Sequence, residues 1–317
     1  MASITTSRDR VTVFGGSGFL GRYVVERLAR QGNVITIAVR DPEAAKFLKP
    51  LGNVGQITPI YCPVQDEEGV AAVVASAHTV INLAGIRYER SNSTFDAVHD
   101  EGAARIARAA TAAGVQRLVQ VSALGANADA PSKFGRSKAA GEVATREAFP
   151  GATLLRPSVI FGPEDRFFNL FAGLARCLPL LPLYGGGHTR FQPVYVGDVA
   201  AAVIAVLVDV ASKGKTYELG GPRTYSLAEL VRYVLDTIGR KRLLLPVPFA
   251  IGHMMALVLE RIPNPLITRD RLLQLTVDNV VTGKEACLAD LGIEPTSLEI
   301  VVPSYLGRYR SALAARI

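Results

Sequence analysis

Residues 11–21 read V-T-V-F-G-G-S-G-F-L-G. A short β-branched, apolar run, Val11–Phe14, leads directly into a glycine-rich turn, and the turn opens a helix over Leu20–Arg30 that Gly32 ends. The spaced glycines are Gly15, Gly18 and Gly21. Gly15 permits a tight turn, Gly18 a close backbone approach to a pyrophosphate, and Gly21 close packing of helix on sheet. Free N–H groups and the helix dipole would favour an anion at the first turn, where Phe19 and Leu20 stand beside the loop. Strand, glycine turn and helix together predict a dinucleotide-binding βα unit; a glycine-rich turn without a ligand is the plainer alternative.

Outward from this unit the pattern repeats. Strands are predicted at Val34–Val39, Ile57–Tyr61, Thr79–Leu83, Leu118–Val121 and Thr153–Leu155. Helices are predicted over Phe95–Ala113 and Phe134–Phe149. Mostly apolar strands alternating with helices specify an α/β fold with a parallel, doubly wound sheet of the Rossmann type. After Gly162 the regularity breaks at Pro179, Pro182 and Gly185–Gly187. Val194–Val196 reads as a return strand, Val199–Val208 as a helix capped by Asp198, and Ser226 with Glu229 as a capping box. The expected division is a dinucleotide lobe at 8–162, completed by 191–224, and a smaller, mainly helical lobe at 163–190 and 225–317.

Composition narrows the function. The 317 residues are 49% hydrophobic and 20% charged, which fits an ordered protein with a large core. Three distant cysteines, Cys62, Cys177 and Cys287, and four scattered histidines give neither a disulfide framework nor a metal site. The net charge of +7 is spread along the chain, there is no tryptophan, and no basic–aromatic motif argues for nucleic acid. The N-terminus lacks an apolar signal region, which suits a bacterial cytoplasmic protein or a processed chain. Leu243–Leu259 carries no formal charge, but Pro246, Pro248, Gly252 and His253 interrupt it. We read it as a turn followed by an apolar helix, core of the small lobe or a docking surface. Tyr184, Tyr195, Cys177 and Met254–Met255 read as packing, Tyr88 as a loop residue, and Arg176 as solvated or facing an acidic partner.

Arg40 ends the second strand, where an NAD-preferring enzyme places Asp or Glu on the ribose 2′-hydroxyl. A guanidinium suits a 2′-phosphate instead, and Arg22 adds charge nearby, so NADP(H) is expected ahead of NAD(H).

On these residues the chain resembles the short-chain dehydrogenase/reductase superfamily, in its extended form. G-x-x-G-x-x-G at 15–21, N-L-A-G at 82–85, R-P-S-V-I-F-G-P at 156–163 and V-Y-V-G-D-V-A at 194–200 carry the likeness. It implies that Val64, Leu83, Ala84 and Gly85 border the adenosine half, and that Ser122, Lys138, Pro157 and Ile160 lie at the nicotinamide end. The superfamily's Tyr-x-x-x-Lys is here S-K-F-G-R-S-K: Lys138 is present, but Phe134 stands at the tyrosine. A phenyl ring has no proton to transfer, so ordinary carbonyl chemistry is in question. Ser122 is a remnant partner or a residue making a strand-end hydrogen bond. Pro63 replaces a common adenine-contacting Asp, leaving Asp66 as a helix cap.

F-G-P-E-D-R-F-F-N at 161–169 and P-L-I-T-R-D at 265–270 lie outside the nucleotide-binding core. They resemble one branch, the NAD(P)H-binding accessory subunits of respiratory complex I, alpha-subcomplex subunit nine type. The resemblance implies tightly held NADPH without turnover. It places the subunit on the hydrophilic arm near the quinone module, with possible membrane-surface contact, at the cytoplasmic face of a bacterial inner membrane or the matrix face of a mitochondrial one. An active NADPH-dependent reductase or isomerase, using the lysine alone, and a redox-sensing scaffold are the alternatives.

Overall fold

The computed structural model describes residues 9–263 and 265–310. The reading of the N-terminal segment and the ends of the expected lobes, at residues 1–8 and 311–317, lie outside them. The chain runs β1 (Arg10–Phe14), α1 (Phe19–Arg30), β2 (Val34–Val39), β3 (Ile57–Tyr61), α2 (Glu67–Val74), β4 (Thr79–Asn82), α3 (Glu101–Ala112), β5 (Arg117–Val121), α4 (Lys133–Ala148) and β6 (Thr153–Pro157). It continues through β7 (Ile160–Phe161), α5 (Phe168–Cys177), β8 (Leu180–Tyr184), β9 (Arg190–Phe191), β10 (Val194–Tyr195), α6 (Val196–Val208) and β11 (Thr216–Leu219). The last third holds β12 (Tyr225–Ser226), α7 (Leu227–Thr237), β13 (Leu243–Val247), α8 (Phe249–Leu259), α9 (Arg269–Gln274) and α10 (Leu298–Leu306).

Seven strands form one parallel sheet in the order β11-β6-β5-β4-β1-β2-β3, a Rossmann-like arrangement. Strand order reverses between β1 and β4, so their C-terminal ends open the crevice where such sheets bind ligands. Apolar strand residues such as Val13, Ile37 and Ile81 are fully buried, because helices cover both faces. One cluster joins the sheet to α1 and α6. Another is built from Phe161, Phe168, Leu183, Leu230, Val302 and Leu306.

Several expectations need correction. Val194–Tyr195 does not return to the main sheet; it pairs only with β7. The seventh strand is β11, T-Y-E-L, which buries Thr216 and Glu218 and so lacks an apolar pattern. Glu218 is tolerated inside because its carboxylate accepts from the N–H and hydroxyl of Thr282. The stretch read as a turn from Leu243 is a strand parallel to β8, and Pro246 is accommodated because this pair is only two strands wide. The helix expected at Phe95–Ala113 carries a π-helical turn over Asp96–Asp100 before α3.

Asp198 does not cap a helix. It lies within α6, buried, and its carboxylate accepts from Thr296 N and Oγ1 at 2.7 and 3.0 Å. Cys177, at the end of α5, is exposed rather than packed. Met254 and Met255 are likewise exposed, at 71% and 41%. Asp66 does cap α2, through Gly69 N, and the Ser226–Glu229 capping box is complete. Among the described residues no helix is long and apolar enough to cross a membrane, and no cluster of potential metal ligands occurs.

Candidate dinucleotide site

The glycine loop and the loop after β4 meet at the point of strand-order reversal. Gly15 has φ of +73°, a conformation that favours glycine, and a Cβ there would lie 2.9 Å from Leu83 C and O. Gly18 is exposed, donates its N–H to Gly15 O at 3.0 Å, and begins α1 without a side-chain cap or an acid in the first turn. An anion can therefore approach this turn directly. A Cβ on Gly21 would meet the carbonyl oxygens of Gly16 and Gly15 at 2.4 and 2.5 Å, so only glycine lets the helix rest on the loop. Leu20 is buried beneath it, while Phe19 is half-buried and would be 3.2 Å from a Cβ on Gly162.

The structure brings the other expected residues to the same face in varying degree. Leu83 N donates to Phe14 O, and Ala84 N to Asn82 Oδ1 at 3.0 Å, which fixes the N-L-A-G turn. Val64 is half-buried beside Gly102. Arg40 is exposed, with a long 3.5 Å hydrogen bond to Ser93 as its restraint. Arg22 is less available. Glu164 pairs with it at 3.1 Å, its guanidinium lies over the Phe47 ring, and its Nε is buried without a partner. Pro157 is buried at the end of β6, and Ile160 begins β7.

At the other end, α4 presents Phe134 and Lys138 one turn apart. Lys138 is buried, and its Nζ donates to Val121 O at 3.3 Å. Burial pulls this amine down to about 8. Ser122 is 5% exposed; its N–H bonds Leu155 O, but its Oγ has no partner, so the simple strand-end role for the hydroxyl does not hold. A Cβ on Gly85 would lie 3.5 Å from Lys138 Nζ, which places this amine beside the β4 loop. An unpartnered hydroxyl, a desolvated amine and glycines at both walls fit the ribose and phosphate groups of a dinucleotide.

Sequence reasoning missed His99. Its ring is stacked on Phe95 at 5.4 Å, and the Phe134 ring stands edge-on to both, at 5.3 Å from His99 and 5.9 Å from Phe95. His99 Nε2 accepts from Ile86 N at 3.0 Å, so in the neutral ring the proton is on Nδ1, facing Ser137 Oγ at 3.0 Å. Burial and then the Lys138 charge hold this imidazole near 2. The neutral ring thus pins the β4 loop to α4. The segment around it, D-A-V-H-D at 96–100, carries no sequence signal of this role.

The two motifs outside the nucleotide core hold the site together. Buried Asp165 accepts from the N–H groups of Gly162, Phe167, Phe168 and Asn169 and from the Tyr305 hydroxyl. Glu164 accepts from Tyr23 Oη at 2.8 Å in addition to pairing with Arg22. Asp270, from P-L-I-T-R-D, reaches the start of α4.

The arrangement is matched by known proteins. The model of the NAD dependent epimerase/dehydratase family matches residues 11–220. The chain is 39% identical to NADH dehydrogenase [ubiquinone] 1 alpha subcomplex subunit 9, mitochondrial, of Arabidopsis thaliana, over 94% of this chain and 77% of that protein. It is 37% identical to the protein of the same name from Mus musculus, over 95% of this chain and 80% of that one. Among solved structures, DesIV (dTDP-glucose 4,6-dehydratase) from Streptomyces venezuelae with NAD and TYD bound superposes with a TM-score of 0.74 at 20% identity, over 95% and 96% of the two chains. That likeness shows the fold; the family model and the curated relatives go further. The chain belongs to the NAD dependent epimerase/dehydratase family, in the branch of the NADH dehydrogenase alpha subcomplex subunit 9 proteins.

Proposed function

We propose that this chain is a non-catalytic, NADPH-binding accessory subunit of respiratory complex I, on the hydrophilic arm near the quinone module. The carrying observation is Phe134 at the position of the general acid, packed into an aromatic cluster beside an otherwise complete site. Gly15, Gly18, Phe19, Leu20 and Gly21 would hold the pyrophosphate. Arg40 would meet the 2′-phosphate, with Arg22 held by Glu164 as a second positive group. Val64, Leu83, Ala84 and Gly85 would border the adenosine, and Ser122, Lys138, Pro157 and Ile160 the nicotinamide half. A bound nicotinamide nucleotide supplies a hydride donor, but Phe134 has no proton to exchange with a substrate oxygen. A ligand that binds only the folded chain stabilises it, so NADPH acts as a brace.

The smaller lobe would be the docking part. α8 buries only Gly252 and Ala256. It exposes Ile251, Met254, Leu257 and Val258, an apolar face of the kind that marks an interface. It would meet neighbouring subunits at the membrane-facing side, on the cytoplasmic face in a bacterium or the matrix face in a mitochondrion. One observation favours turnover instead: Lys138, pulled down to about 8, can release a proton near neutral pH.

The test is purification without added nucleotide, then extraction of the protein and analysis of the respiratory complex in membranes. Released NADPH and co-migration with the complex are expected. Sustained NADPH oxidation with a small carbonyl substrate, abolished by Lys138→Ala, would overturn the reading.

A further inference from the structure

The F-G-P-E-D-R-F-F-N motif at 161–169 sets a carboxylate beside the first turn of α1. Glu164 lies between β7 and α5, and each of its oxygens meets one of two consecutive residues of α1. Oε1 pairs with Arg22 Nη1 at 3.1 Å, and Oε2 accepts from Tyr23 Oη at 2.8 Å. The turn that carries Glu164 is itself fixed. Its neighbour Asp165 is buried and gathers the N–H groups of Gly162, Phe167, Phe168 and Asn169, while Asp165 N donates to Gly162 O at 2.9 Å. The Phe19 ring closes the other side, 3.2 Å from where a Cβ on Gly162 would stand. Little further ordering is needed to hold the Glu164 carboxylate against α1.

Arg22 is the cation next to the phosphate turn: it follows Gly21, and its backbone N–H donates to Gly18 O at 3.3 Å. The first turn of α1 contains no acid of its own, so Glu164 brings a negative charge there from another element. The pairing leaves Arg22 committed but not fully satisfied. Its guanidinium lies 5.1 Å from the centroid of the Phe47 ring, and its Nε is buried without a hydrogen-bond partner. A donor in that state costs free energy that a different rotamer, with a phosphate oxygen as acceptor, would recover. The side chains of the pair are 34% and 39% exposed, so the bond between them is screened and modest. A phosphate, which a guanidinium fork engages at two points, is a stronger partner.

We propose that Glu164 is a positioning residue that sets the affinity of the glycine loop, by engaging Arg22 and so withholding its charge from the phosphates of a bound dinucleotide. Removing the Glu164 charge frees the guanidinium to turn to them. The inference rests on the reading of the glycine loop as a dinucleotide site, and it gives the 161–169 motif a role in setting how tightly that site holds its anion.

The whole chain, stripped of nucleotide, is titrated with NADPH by fluorescence as wild type, Glu164→Gln, Arg22→Gln and the double variant. The rate at which loaded protein releases NADPH into excess NADH reads the same difference without stripping. Glutamine keeps an oxygen for Tyr23, so Glu164→Gln should keep the wild-type Tm. It should bind NADPH about three- to fivefold more tightly. The gain should shrink in high salt, because it is a gain of charge. It should be largely lost in the Arg22→Gln background, where no guanidinium is left to free; a merely structural role for Glu164 would move neither the salt dependence nor this coupling. Unchanged or weaker binding by Glu164→Gln overturns the proposal, as does an equal gain in the Arg22→Gln background. Absence of nucleotide binding in the wild type overturns the dinucleotide reading and this inference together; binding by the wild type without a gain in the variant overturns this inference alone.

Discussion

The Asp270 carboxylate closes on the backbone N–H of Lys133 at 2.6 Å and on that of Phe134 at 3.3 Å. A residue of α9 thereby serves the first turn of the helix that carries Phe134 and Lys138, where N–H groups lack helical partners. Ser132 caps the same turn through Gly135 N. Asp270→Ala should cost about 1–2 kcal/mol in urea denaturation. It should also speed amide exchange at Lys133 and Phe134. Unchanged exchange there would show that the contact does not hold the helix.

Gly21 carries a different constraint. An added methyl group would meet two loop carbonyls that have no room to move without opening the phosphate turn. Gly21→Ala should lower stability by about 1–3 kcal/mol and release bound nucleotide during gel filtration. Gly32→Ala, in open space but at φ of +84°, should cost stability without loss of nucleotide.

His99 makes the fold sensitive to acid. Its neutral ring persists to about pH 2 in the folded chain, whereas in the unfolded chain it takes up a proton near 6.5. Between those values the unfolded state binds more protons, so this contribution is complete above pH 6.5 and declines as pH falls. By pH 5 the loss should be about 2 kcal/mol. His99→Gln, compared with wild type at pH 7 and pH 5, should remove that part of the slope.

Arg40 is exposed and lightly restrained, so it can turn to a ligand at little cost. Arg40→Asp should invert the preference between NADPH and NADH, by about tenfold or more in relative Kd, because a carboxylate accepts from a ribose hydroxyl and repels a phosphate. Equal affinities in both proteins would assign the 2′-phosphate to another residue.

Much of the sheet was legible because its strands are short, apolar and separated by turn residues. β2 and β3 fall where the pattern puts them, and α1 begins one residue early. The failures share a cause. β11 hides a carboxylate whose partner, Thr282, is distant in sequence, and Asp198 likewise answers to Thr296. Tertiary partners of that kind leave no periodic trace. The glycine loop, Lys138 and Phe134 could be read as a site because helical spacing brings the last two together. His99 could not, since its role depends on Ile86 and Ser137 meeting it from two other elements. The exposure of Met254 and Met255 also escaped the sequence, because an apolar helix looks the same whether it is covered or bare.

Tyr195 packs against both hydrophobic clusters, and its ring lies 5.7 Å from that of Phe161. A side chain shared in this way ties the two clusters together. Heat should release them together, as a single calorimetric peak.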